Sequence, residues 1–148
     1  MEDCLKLENQ LCFPLYAAAK EVVRRYKPIL EEFDLTYTQY IAMMILWEKK
    51  TVTVNKLGEH LYLDSGTLTP MLKKMESKGL IKRTRSELDE RRVNVELTPE
   101  GEELSSKAAR IPRKMSVCLK LTEEEKNTLY KLLYKIIDTL DNERKQSE

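Results

Sequence analysis

The 148 residues are a one-domain length, and 26 Lys and Arg against 25 Asp and Glu leave a net charge of +1, so overall charge selects no polyanionic partner. No apolar run reaches the roughly 20 residues that span a bilayer, and the opening MEDCLKLENQ lacks the apolar core of a secretion signal, so a cytoplasmic protein is expected. Cys4, Cys12 and Cys118 have no CxxC spacing and His60 reads as an exposed helix residue, so no metal centre, disulfide scaffold or cofactor is expected.

The first helix follows from two adjacent apolar stripes, Leu11, Leu15, Ala18, Val22 and Cys12, Tyr16, Ala19, Val23, Tyr26. Pro14 predicts a late start or a kink, and Pro28 bears on where the helix ends or bends. Thr36 and Gln39 form a capping box for a second, almost wholly apolar helix with the body YIAMMILWE. Thr53 caps a short third helix carrying Val54, Leu57 and Leu61. After a turn at Leu63–Ser65 comes a fourth helix with Leu68, Met71, Leu72 and Met75 on one face; Pro70 predicts that it starts late, and Gly79 that it stops.

Beyond Gly79 the apolar period changes from 3.6 to 2. LIKRTR and RVNVELT alternate on either side of the charged connector SELDER, which predicts a β-hairpin with a long polar tip. Thr98-Pro99 opens a fifth helix, Pro112 bends or stops it, and Cys118 falls in the connection that follows. Thr122 and Glu125 cap a last helix striped by Leu129, Leu132, Leu133, Ile136, Ile137 and Leu140. The expected fold is mainly α with a small β-hairpin: a winged helix-turn-helix in a single domain over 1–148. The DNA-binding lobe is expected over about 36–98. The apolar helices over about 5–32 and 99–143 are left to pair two copies as a symmetric homodimer.

Residues 64–92 hold the one local positive excess, eight basic against five acidic side chains. A helix that reads the major groove needs small and hydrogen-bonding groups in its first turns and cations beside them. Ser65, Gly66, Thr67, Thr69 and Pro70 provide the former, and Lys73 and Lys74 the latter. Arg83 and Arg85 on the first strand and Asp89, Arg91 and Arg92 at the hairpin tip complete the expected DNA-binding set. Arg91 is placed to enter a minor groove, with Asp89 expected to hold its guanidinium.

In its order and spacing, LYLDSGTLTPMLKKMESKGLIKRTRSELDERRVNVELTPEG resembles the signature region of the multiple-antibiotic-resistance regulator (MarR) family, the D-x-R and L-T-x-x-G elements most of all. The resemblance runs over nearly the whole chain and implies a DNA-binding transcriptional repressor, not an enzyme, with a pseudo-palindromic operator. LENQLCFPLYAA, YKPIL and LTYTQY further resemble the organic hydroperoxide resistance branch. There a cysteine at the start of the first helix is oxidised and the dimer releases DNA; the matching residue is Cys12.

Peroxide is attacked by a thiolate, whereas a free cysteine, with a pKa of about 8.5, is mostly protonated at neutral pH. Phenols donating to the sulfur favour the anion. Tyr16 lies one turn from Cys12, and Tyr26 falls about 40° from it around an ideal helix, so the three share a face. By periodicity alone the favoured reading is a packed cysteine among core tyrosines, since a buried cysteine is usually structural. The resemblance turns it into a sensor, with Tyr26 and Tyr37 contributed by the other subunit. Through Cys118 it also implies the two-cysteine type of sensor with an intersubunit Cys12–Cys118 disulfide, the single-cysteine type, in which a small-molecule thiol caps the oxidised sulfur, being left open. Cys4 reads as a bystander close enough in sequence to compete. The alternatives left open are a regulator of a small phenolic ligand, a broader oxidation-sensing regulator of virulence or biofilm genes, and a thiol peroxidase.

Overall fold

The computed structural model describes residues 2–147, which form two compact units that part between Pro112 and Arg113. The first unit begins with two 3-10 turns at Asp3–Leu5 and Leu7–Asn9. Helix α1 (Cys12–Glu31) then starts at Cys12, which puts Pro14 in its first turn. The amide protons of a first turn have no intrahelical acceptor, so Pro14 sacrifices no hydrogen bond there, and the late start is the outcome. Pro28 lies inside the helix, which continues past it to Glu31.

Helix α2 (Tyr37–Lys49) opens on the full capping box: the Gln39 N–H donates to Thr36 Oγ1 at 3.3 Å and the Thr36 N–H to Gln39 Oε1 at 3.1 Å. Strand β1 (Thr51–Thr53) leads into helix α3 (Val54–Leu61), where the Lys56 N–H donates to Thr53 Oγ1. Tyr62 then takes a left-handed conformation at φ 54°, and helix α4 (Ser65–Ser77) follows. The expectation that Pro70 sits in the first turn of α4 is corrected. Asp64 caps the helix by accepting the Thr67 N–H at 2.8 Å, so the helix begins at Ser65 and Pro70 lies within it.

Gly79, at φ 74°, closes α4 in a Schellman motif: its N–H donates to the Glu76 carbonyl and that of Leu80 to the Met75 carbonyl. Strands β2 (Ile81–Arg85) and β3 (Val93–Leu97) pair antiparallel, Arg83 opposite Val95. The sheet has three strands in the order β1-β3-β2, not the two of the expected hairpin. Val52 sits opposite Val95, a pairing between segments too far apart in sequence for a three-residue strand to announce.

Helix α5 (Pro99–Ala108) begins as expected, Thr98 Oγ1 accepting the Gly101 N–H at 3.0 Å. Two apolar clusters hold the unit together. One gathers Met43, Leu46, Leu57, Leu68, Leu72, Met75, Ile81 and Val95 between helices α2 to α4 and the sheet. The other gathers Leu30, Leu35, Tyr40, Ala108 and Ile111 where α1, α2 and α5 converge. Burial of each such leucine stabilises the fold by about 1.5–3 kcal/mol. At Gly58 a Cβ would lie 2.8 Å from the Leu63 carbonyl oxygen and 2.9 Å from Leu68 Cδ1, so the helix-turn-helix angle requires glycine there.

Pro112 lies in the first turn of helix α6 (Ile111–Leu119), which the sequence did not reveal as an element. Cys118 is therefore in the last turn of a helix, not in a connection. In the second unit, helix α7 (Glu123–Ser147) opens on the Thr122–Glu125 capping box. Among the described residues no helix is long and apolar enough to cross a membrane. In the first unit Leu11 just before α1 and Phe13, Leu15 and Val23 on it are exposed in the single chain, and in the second unit Leu129, Leu132, Ile136 and Leu140 on α7 are exposed; each is an apolar surface of the kind that marks interaction sites.

Candidate nucleic-acid interface and thiol site

Helix α4 is amphipathic in the way the docking geometry requires. Leu68, Met71, Leu72 and Met75 are buried, while Ser65, Gly66, Thr67, Thr69, Pro70, Lys73 and Lys74 are all exposed. The Thr69 hydroxyl donates to the Ser65 carbonyl at 2.8 Å. The Asp64 carboxyl is held below the usual carboxylate range chiefly by the Thr67 N–H, so the cap stays ionised at the positive end of the helix.

At the hairpin tip Arg91 and Arg92 are exposed, and Arg85 donates to the Glu90 carbonyl. Asp89 differs from the expectation. Its Oδ1 accepts the Arg91 backbone N–H at 3.0 Å and its Oδ2 lies 3.7 Å from Nε of Arg92, so it shapes the turn and faces Arg92 instead of clamping the Arg91 guanidinium. Arg83 also differs. Its backbone N–H, Nε and Nη2 all donate to the Glu76 carboxylate, at 2.9, 3.1 and 2.8 Å, which ties β2 to α4. That contact holds the Glu76 carboxyl below its usual range, the backbone N–H contributing most.

A cleft of about 490 Å³ joins the start of α3 to the wing, lined by Asn55, Lys56, Thr69, Arg91 and Arg92 among others. Asn55 and Lys56 were missed by sequence reasoning. Their place beside the Thr53 cap, in the first turn of the helix preceding α4, was the signal available. Lys56, paired at the cleft with Glu59 at 2.7 Å, and the two arginines place cations around one concave surface, which suits a phosphate.

Cys12 is exposed as the first residue of α1, at the end of a helix dipole that favours negative charge. Tyr16 is also exposed, with Lys20 Nζ 5.2 Å from its ring centre. Tyr26 belongs elsewhere in the same chain. Fourteen residues of helix separate it from Cys12 by about 21 Å along the axis, and its ring packs on Tyr37 at 4.8 Å and Tyr40 at 5.9 Å between centroids. Tyr40, not singled out from the sequence, is one turn past Tyr37 and faces Trp47 at 6.3 Å. Burial, reinforced by the neighbouring phenols, pushes the Tyr26 hydroxyl up to about 12, so it keeps its proton and remains a donor. Burial raises Tyr37 in the same direction. Cys118 is half-buried at the opposite kind of helix end, its Sγ–H donating to the Lys114 carbonyl at 3.2 Å.

A helix-turn-helix with an exposed polar second helix, joined to a basic three-stranded wing, defines a winged-helix DNA-binding protein. The chain belongs to the SarA/Rot family of transcriptional regulators, whose model matches residues 24–108. It is 52% identical to the organic hydroperoxide resistance transcriptional regulator of Bacillus subtilis over 138 residues, 93% of this chain and 94% of that protein. It is 44% identical to the HTH-type regulator SarZ of Staphylococcus aureus over 119 residues, 80% of each. Among solved structures, reduced AbfR bound to DNA is 35% identical with a TM-score of 0.77, over 90% of this chain and 94% of that one. AbfR comes from Staphylococcus epidermidis. Its disulfide form, also 35% identical, matches with a TM-score of 0.64 over 88% of this chain and 92% of that one.

Proposed function

We propose that this regulator is a cytoplasmic homodimeric repressor that binds a pseudo-palindromic operator and releases it when an organic hydroperoxide oxidises Cys12. The observation that carries the reading is the separation of Cys12 from the Tyr26–Tyr37 pair along one helix, about 21 Å. The two cannot meet within a chain, but they can meet between chains. If two α1 helices cross antiparallel, the residue midway between positions 12 and 26 is Ala19, within the run Ala17-Ala18-Ala19. Small side chains at a crossing let helices approach closely, and the two-fold then sets Cys12 of each copy against the tyrosines of the other. There the two phenols serve as donors to the thiolate.

The reaction balances simply. The thiolate attacks the peroxide O–O bond, the alkoxide leaves and takes a proton, and the sulfur becomes a sulfenic acid. A second thiol then displaces water to give a disulfide, and Cys118 of the other subunit is the partner in this reading. Its thiol donates to the Lys114 carbonyl at 3.2 Å. The Bacillus subtilis relative named for organic hydroperoxide resistance, and AbfR solved in reduced and disulfide forms, support it.

The test is DNA-binding anisotropy on the DNA upstream of the protein's own coding sequence, with and without cumene hydroperoxide. The full chain should release DNA on oxidation, and Cys12→Ser should bind yet ignore the oxidant. Release by Cys12→Ser, or sustained peroxide turnover by the wild type, would overturn the reading.

A further inference from the structure

The second exposed thiol near the start of α1, Cys4, has no part in that scheme. The segment carrying it is wound back on itself. The Asn9 side chain donates to the Asp3 carbonyl at 2.8 Å, and the Gln10 side chain donates to the carbonyls of Cys4 and Lys6. One glutamine side chain and one hydrogen bond therefore separate the backbone at Cys4 from the backbone at Gln10, a span of roughly 10 Å at most. Cys12 is two residues further on. No residue of either 3-10 turn is buried, so little free energy opposes their rearrangement.

We propose that Cys4 is a second resolving thiol, which captures the sulfenic acid of Cys12 within the same chain and protects it from irreversible oxidation. This rests on the reading of Cys12 as the oxidised residue. The Cys4 Sγ–H donates to Glu2 Oε2 at 3.5 Å, which places a carboxylate where the thiol proton must go. As the Cys4 sulfur attacks the sulfenic sulfur, its proton passes by way of Glu2 to the departing hydroxide. One S–S bond forms, the S–O bond breaks, and water leaves; the hydroperoxide consumed in the first step is the only oxidant.

The competition between thiols makes the route effective. A reactive group on a short flexible tether has an effective concentration of the order of millimolar, and a loop of about ten residues closes within about 100 ns. A sulfenic acid persists far longer than that, so Cys4 samples Cys12 many times before a second hydroperoxide arrives. The Cα atoms must come within about 7 Å for the bond to form, which asks only that the exposed 3-10 turns tighten. The Cys4–Cys12 bridge leaves the two subunits without a covalent link, unlike the bridge to Cys118.

The experiment treats full-length wild type, Cys118→Ser and Cys4→Ser/Cys118→Ser with one and then ten equivalents of cumene hydroperoxide, followed by intact-mass and peptide mapping without reductant. In Cys118→Ser the expected product is a monomeric chain two hydrogens lighter, with a Cys4–Cys12 linked peptide, and dithiothreitol restores the Cys12 thiol. In the double variant Cys12 should instead carry two or three oxygens, several-fold faster and beyond recovery by dithiothreitol. Equal rates of irreversible oxidation in the two variants, with no linked peptide, would overturn the role of Cys4 while leaving Cys12 as the sensor. An unmodified Cys12 in the wild type would overturn both.

Discussion

The indole Nε1 of Trp47, near the end of α2, donates to the main-chain carbonyl of Gly101 in the first turn of α5 across 2.8 Å, 54 positions away in sequence. The same junction is drawn tighter by Lys50 reaching Glu102 and by the Thr98 hydroxyl donating to the Gly79 carbonyl at 2.6 Å. The end of α4, the base of the wing and the first turn of α5 thus meet at one point.

Gly101 is the least replaceable residue at that point. A Cβ there would lie 2.2 Å from the Leu80 carbonyl oxygen and 2.8 Å from Leu97 Cδ1. Backbone must move to admit it, whereas Trp47→Phe removes one hydrogen bond and some apolar contact, about 1–2 kcal/mol. Thermal unfolding should therefore rank Gly101→Ala as more damaging than Trp47→Phe; the reverse order would remove the junction's importance.

The arginines should separate into two kinds. Arg91→Ala should weaken DNA binding strongly with the melting temperature unchanged, and Lys73→Ala should lower the slope of log K against log salt by about 0.9, one phosphate contact. Arg83→Ala should lower the melting temperature, because Glu76 loses the guanidinium that links α4 to β2. Salt-titrated anisotropy beside calorimetry reads both. A stable Arg83→Ala with a reduced salt slope would return Arg83 to the DNA face.

Bulk at the middle of α1 should act on Cys12 without touching it. Ala19→Trp should force two crossing helices apart, weaken the dimer in sedimentation and slow Cys12 oxidation several-fold. An unchanged dimer and an unchanged oxidation rate would place the crossing elsewhere. Tyr37→Phe should slow oxidation while leaving the dimer intact, since only a donor is lost.

Alkaline titration should single out Tyr26. Its folded value of about 12 lies above the ordinary 10.0, so the folded chain holds a proton that the unfolded chain gives up. This contribution to stability is complete below about pH 10 and is lost as pH rises from there through about 12. Ultraviolet difference absorbance should show a late tyrosine step that Tyr26→Phe removes. A titration complete by pH 10.5 would contradict the buried cluster.

What the sequence by itself determined lies within one or two turns of chain. Thr36, Thr53, Thr98 and Thr122 cap helices because a hydroxyl reaches an amide three residues on, and Gly79 ends α4 because its φ is positive. Period 3.6 before Gly79 and period 2 after it are equally local, so the order of helices and wing, and the exposed face of α4, could be read directly. The resemblance carried by LDSGTLTPMLKKM and DERRVNVELTPEG added the family. Only the tertiary structure decided what depends on segments meeting across the fold. Strand β1 exists because β3 offers Val95 to Val52; Glu76 withdraws Arg83 from the surface; Asp89 turns to Arg92. Tyr26 is committed to Tyr37 and Tyr40 because α1 and α2 converge at that end, far from Cys12. These contacts are set by hydrogen bonds and apolar packing between residues many positions apart, which no periodicity along a single chain encodes.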